Sequence, residues 1–458
     1  MAKFVHHFRD RRRFQPHLRN ALKVIAAVAL LGFIGLLLVP AISDRIDQLA
    51  DQSQSKCPKY GRAGDPLHTA RPAHAGEVLA IRLTNAGEFV DRCELTDILY
   101  DLNWDYERCP REFRPRISPS AERLPKLVVM YIHGWKHSGD NEDEDRKRFG
   151  EFVAKLSVAN RHKKQVLGIF IGWNAKARLF PLTLPYLENL TFWTKKRVAD
   201  RIAQSAVVTK VVGAIGAVLN QSQTADDQFV AIGHSFGARL LFSATGQTLI
   251  YETEYKHPGY PGGRYKPIRG PADAIILLNP AFEASLFTAM NDTSRREEIF
   301  ENQPPLLVSI SSTGDWATKK AFPVGQWFDG FRSEREMITL GNYHRFQTHV
   351  LYPSTSEACF LNRHSADVSE TFFASGLCFA RVPKTAFLGL AESYPHNPFL
   401  VASTSEKVIK DHNDIWGEQF RDWLFDFINA LQKRLPAHRI GLPEQTVDTT
   451  ARNSRCQL

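Results

Sequence analysis

Six cysteines occur in 458 residues, and no two stand in a C-x-x-C spacing, so the usual sequence sign of a zinc or dithiol redox site is missing. Internal repeats are missing too, which removes solenoid and propeller architectures. Excess positive charge is scarce over most of the chain. The net charge is +9, but Lys3, Arg9, Arg11, Arg12, Arg13, Arg19 and Lys23, against Asp10 alone, carry six of it. The remainder is nearly neutral and lacks the electrostatic footprint that phosphate backbones select, so nucleic acid is not an expected partner. The basic arm suits anionic lipid headgroups instead.

Charge is absent altogether from Val24 to Ile42, nineteen residues that as a helix span roughly 28 Å, enough for a bilayer core. Seven cations ahead of it predict a cytoplasmic N-terminus and an exported remainder. Val39-Pro40-Ala41 is a poor cleavage site, so the segment reads as an uncleaved signal anchor. All six cysteines lie beyond it, as an oxidising compartment would favour. Cys93 with Cys109 and Cys359 with Cys378 are close enough in sequence to pair, leaving Cys57 and Cys456.

What is present is a chemical motif. Gly233-His234-Ser235-Phe236-Gly237 follows the strand-like run Gln228–Ile232 and precedes the helix-favouring Ala238–Ala244. A G-x-S-x-G pattern between strand and helix is a nucleophile elbow, in which the glycines relieve crowding around an exposed serine. A second apolar run, Val128–Ile132, ends in His133-Gly134-Trp135 about a hundred residues earlier. In that position a loop supplies one oxyanion-hole amide, here Trp135 or Gly134, and the residue after the nucleophile, Phe236, supplies the other. His133 reads as a residue that orients this loop.

A serine hydroxyl needs a base, and the base an orienting acid. After the apolar run Leu306–Ile310 comes Ser311-Ser312-Thr313-Gly314-Asp315, which places Asp315 in the turn at a late strand's end. Glu283, after the strand Ala274–Leu278, is the alternative acid. His412 stands just before a final amphipathic helix and is the expected base, with His349 and His396 as alternatives. Asp414 reads as that helix's cap. The acidic run Asp140–Asp145 reads as first-turn carboxylates that complement a helix dipole, in preference to a calcium loop.

Helix-like and strand-like runs alternate, including one long helical run at Lys195–Leu219, which predicts a mostly parallel sheet flanked by helices. With these motifs the chain resembles the α/β-hydrolase superfamily over residues 76–435, and in particular exported bacterial serine hydrolases with HGW and GHSFG motifs. The resemblance implies an α/β-hydrolase fold and acyl transfer to water by Ser235, Asp315 and His412, with no cofactor and no metal. The expected partner is a small-molecule or lipid-like acyl substrate, the lipid-like reading resting on the anchor and on the aromatic stretch Phe180–Trp193, which is expected to be buried or to cap the site. The expected organisation is a basic segment at 1–23, the anchor at 24–42, a linker at 43–75, the hydrolase domain and a tail at 436–458. Insertions near 251–270 and 341–380 read as irregular and loop-rich. A non-enzymatic scaffold, or an acyltransferase or peptidase on the same fold, are the competing functions.

Overall fold

Continuous runs of aliphatic residues need cover on both faces, and they find it here in one ten-stranded sheet. The computed structural model describes residues 75–103, 124–176, 192–221, 226–254, 268–295, 299, 303–323, 333–356, 359, 371–382 and 396–434. The strands are β1 (Val78–Leu83), β2 (Lys126–Ile132), β3 (Gln165–Trp173), β4 (Gln228–His234) and β5 (Ala274–Leu278). They continue with β6 (Leu307–Ser312), β7 (His349–Pro353), β8 (Thr371–Ala374), β9 (Leu377–Arg381) and β10 (Phe399–Thr404). Their order is β1-β3-β2-β4-β5-β6-β10-β7-β9-β8. Every pair from β1 to β7 along that order is parallel, and β9 alone runs antiparallel to its neighbours β7 and β8.

The helices are α1 (Arg92–Asn103), α2 (Glu144–Asn160), α3 (Phe192–Gln204), α4 (Val207–Gln221) and α5 (Phe236–Glu254). Short α6 (Thr288–Ser294) and α7 (Glu334–Met337) and the final α8 (Glu418–Arg434) complete the set among the described residues. The two-residue period of a strand sends alternate side chains of β2 into different cores. Val128, Met130 and Ile132 pack with α1, α3, α4 and α5, while Leu127, Val129 and Tyr131 pack with α2 and α8. The fold is therefore α/β, a mostly parallel sheet covered by helices on both faces.

Two expectations need correction. The run Lys195–Leu219 is not one helix: it breaks after Gln204, where Ala206 takes φ +59° and the Ser205 hydroxyl bonds the Ile202 carbonyl at 2.7 Å. The turn lets both helices keep apolar stripes, Val198 and Ile202 on one, Val211 and Ile215 on the other, against the same core. The 341–380 segment is not only irregular: among its described residues β7, β8 and β9 extend the sheet. These strands are only four or five residues long, too short for a clear alternation. The Cys359–Cys378 disulfide is present, with its Cα atoms 6.0 Å apart, and Cys93 is disulfide-bonded.

Cys109, Cys57 and Cys456 lie outside the described residues, as do the basic segment, the 24–42 run, the linker up to residue 74, residues 177–191, 255–267 and the tail. Among the described residues no single helix is long and apolar enough to cross a membrane. Helices α3 and α4 meet that test only as a pair bent by 49°.

The acidic run has a structural use. Asp143 caps α2, accepting the Asp145 amide at 2.9 Å, and buried Asp145 accepts the Tyr131 hydroxyl at 2.6 Å and the Trp416 indole.

Candidate active site

All the parallel strands point their C-terminal ends toward one edge of the sheet, and the candidate residues arrive there from loops after β2, β4, β6 and β10. Between β4 and α5 the chain must turn within one residue, and Ser235 takes φ +56°, a left-handed conformation that a residue with a side chain rarely adopts. Neighbouring backbone holds it there: Ser235 donates its amide to the Leu278 carbonyl at 2.9 Å, and its carbonyl accepts the Ala281 amide at 3.1 Å.

The structure brings Ser235, His412 and Asp315 together. The serine hydroxyl stands 2.6 Å from His412 Nε2, and His412 Nδ1 stands 2.7 Å from Asp315 Oδ2. Asp315 is fully buried, and its second oxygen accepts the Thr318 amide at 3.1 Å. Burial opposes the Asp315 charge, but the adjacent His412 and the Thr318 donors outweigh it and hold the carboxyl below its usual range. A π-helical turn, Ala317–Ala321, follows the aspartate; such turns are rare and often lie at functional sites.

The loop after β2 lies against the elbow. A Cβ added at Gly134 would come 2.7 Å from both Ser235 Cβ and His234 Nδ1, so only glycine allows this approach. Phe236 begins α5, where a helix leaves its first amides unsatisfied, and the Trp135 main-chain amide has no backbone acceptor among the described residues. His133 braces the loop: Nδ1–H donates to the Gly134 carbonyl at 2.8 Å, and Nε2 accepts the Trp173 amide at 2.9 Å. Only the neutral ring can do both. Burial first, and the charge of His137 second, lower the His133 pKa to about 4.

That shift has a measurable consequence. Between pH 6.5 and about 4 the unfolded chain takes up a proton that folded His133 refuses. Stability present above pH 6.5 therefore falls as the pH drops through this window, by on the order of 3 kcal/mol from this residue. Urea unfolding measured from pH 7 to 4.5 should show a shallower decline in His133→Gln than in the wild type. Parallel slopes for the two proteins would rule out this assignment.

The alternative residues are placed elsewhere. Glu283 follows β5 at the correct edge but is engaged by Lys196 at 2.9 Å and Arg239 at 3.1 Å. Burial opposes its charge, and the two cations, Lys196 foremost, still hold its pKa below the usual carboxylate value. His349 opens β7 and His396 precedes β10, so both sit toward the N-terminal ends of parallel strands, away from the elbow. His349 bonds Thr348 Oγ1 at 2.9 Å and stacks on Phe379 with centroids 4.7 Å apart. Asp414 does not cap α8. It accepts the Lys410 amide at 3.1 Å, closing the loop that carries His412, while α8 starts at Glu418.

Two residues escaped the sequence reading. His234 and Asn279 both donate to the main-chain carbonyl of His412. They are 178 and 133 residues from it, and no local pattern marks either contact.

No protein-family model and no curated protein matches the chain. Among solved structures, a phospholipase, PlaB from Legionella pneumophila in complex with thio-NAD, aligns at 13% identity with a TM-score of 0.28. The alignment covers 68% of this chain and 62% of that one, so the chain spans less than two thirds of that protein's length. A likeness at this level shows neither a site nor an activity.

Proposed function

We propose that the chain is a serine hydrolase that cleaves a carboxylic ester or related acyl substrate through an acyl-enzyme. The observation that carries the reading is the hydrogen-bonded series Ser235–His412–Asp315, at 2.6 and 2.7 Å, on a serine held at φ +56°. In this reading His412 Nε2 takes the Ser235 proton as Oγ attacks the acyl carbon. The developing oxyanion meets the amides of Phe236 and of Trp135 or Gly134. His412 then protonates the departing alcohol, and the same ring draws a proton from the water that releases the acid. Asp315 fixes the Nδ1–H tautomer and stabilises the imidazolium.

A buried aromatic core backs the loops of the site. Trp135 meets Phe192 edge-on at 5.1 Å, and Phe192 meets Phe236 at 5.0 Å. Trp193 lies 5.4 Å from Phe192 and 6.0 Å from Phe322, which follows Asp315 by seven residues. The uncharged 24–42 run and the Cys359–Cys378 bridge support a membrane-anchored enzyme with its domain outside the cytoplasm.

A fluorophosphonate probe tests the chemistry. The full-length protein should be labelled at Ser235, and ester turnover should favour longer acyl chains. A folded protein that neither labels nor hydrolyses any ester would defeat the proposal, and strict preference for short, water-soluble esters would defeat its lipid-like part.

A further inference from the structure

The His412 imidazole can be no better placed than the loop that carries it. The last residue of β4, His234, donates Nε2–H to the His412 carbonyl at 2.8 Å. The first residue after β5, Asn279, donates its amide to the same oxygen at 3.0 Å and approaches the Asp411 carbonyl at 3.4 Å. Each donor is itself fixed. Asn279 is fully buried at φ +43°, donates its own amide to Ile310 at 2.9 Å and accepts the Ser312 amide on Oδ1 at 2.8 Å. His234 is buried between the two loops of the site: its Nδ1 is the atom that an added Cβ at Gly134 would strike, and its ring lies 5.1 Å from the His412 ring. Nδ1 has no hydrogen-bond partner among the described residues. A carbonyl acceptor at Nε2 requires the proton there, so the tautomer is set.

We propose that His234 and Asn279 are positioning residues, which clamp the His412 carbonyl from two adjacent strands and so set the reach of its imidazole to Ser235. Neither touches the reacting atoms. Burial, reinforced by the neighbouring His412 charge, keeps His234 neutral, so it does not repel the imidazolium that forms beside it. The effect on rate rests on the serine-hydrolase reading; the geometric claim does not.

Three variants and two readouts test the clamp in the full-length protein. His234→Leu removes the donor, His234→Gln returns an amide N–H near the Nε2 position, and Asn279→Gly removes the amide while tolerating the positive φ. The readouts are the fluorophosphonate labelling rate and the far-downfield proton resonance of the His412–Asp315 hydrogen bond, with melting curves to establish folding. Leucine and glycine variants should label about 10–100-fold more slowly, since a misplacement of about an ångström costs that much. They should also lose or shift the downfield resonance, and glutamine should recover most of both signals. Labelling at the wild-type rate in folded His234→Leu or Asn279→Gly overturns the clamp. So does a glutamine variant no better than leucine, because ring packing would then be the cause. If His234→Leu fails to fold, Asn279→Gly and His234→Gln decide the matter. A wild type that never labels, yet shows a downfield resonance that disappears in the variants, sinks the hydrolase reading and leaves the clamp standing. A wild type without that resonance overturns the clamp.

Discussion

Ser235→Ala is expected to lower kcat by about 10⁶-fold for a reactive ester, and His412→Ala by a similar factor, with both proteins still folded. On the proposed reading the three groups act as a unit. Without Oγ no acyl-enzyme forms, and without Nε2, 2.6 Å from Oγ, the hydroxyl keeps its proton. The Ser235→Ala/His412→Ala double variant should therefore be scarcely slower than either single one. Asp315→Asn should cost about 10⁴-fold, because the amide presents an N–H to Nδ1 and favours the wrong tautomer. Steady-state ester hydrolysis on the four proteins checks these outcomes. Effects that multiply in the double variant would show that serine and histidine do not share one step.

Gly237→Ala should be the most damaging single methyl in the site. Its Cβ would meet the carbonyl oxygens of Ile132 and His133, the latter at 2.6 Å. Both are backbone atoms at the end of β2, and the glycine lies in the first turn of α5, so neither side can yield as a flexible side chain would. The expected cost is about 3 kcal/mol or more, at the upper end of overpacking. The surviving folded fraction should also label slowly, because the shift is transmitted to the loop holding Gly134. Gly213→Ala is the matched control: on α4, an added Cβ meets nothing within 4 Å, and the change should be neutral or stabilising by about 0.5–1 kcal/mol. Melting temperatures of the two variants test the contrast. Equal, small effects would mean that the elbow has room that its geometry denies.

Some of this molecule is written locally. The strands at β2, β3, β4 and β5 are readable because a parallel strand buried on both faces is an unbroken apolar run. The elbow is readable because the φ demanded of Ser235 forces small neighbours at fixed offsets. Less was readable where elements are short or contacts are remote. Four-residue β8 carries too little alternation to announce itself, and the break at Ala206 lies inside a continuous helix-favouring run. Glu283 and Asp315 look equivalent in sequence, each a carboxylate shortly after an apolar strand. They are separated only by their surroundings, two cations in one case and His412 in the other.

By itself, then, the sequence determined the features set by chain-local sterics and burial: that the long apolar runs of β2 to β5 are strands, that a serine sits on a sharp turn, and that a loop with glycine precedes it. The tertiary structure decided the features that depend on partners more than a hundred residues away or on other elements of the fold. It alone fixed the strand order, the engagement of Glu283 by Lys196 and Arg239, and the hold of His234 and Asn279 on the His412 carbonyl. A hydrogen bond constrains two atoms in space and leaves no trace in the spacing of residues along the chain.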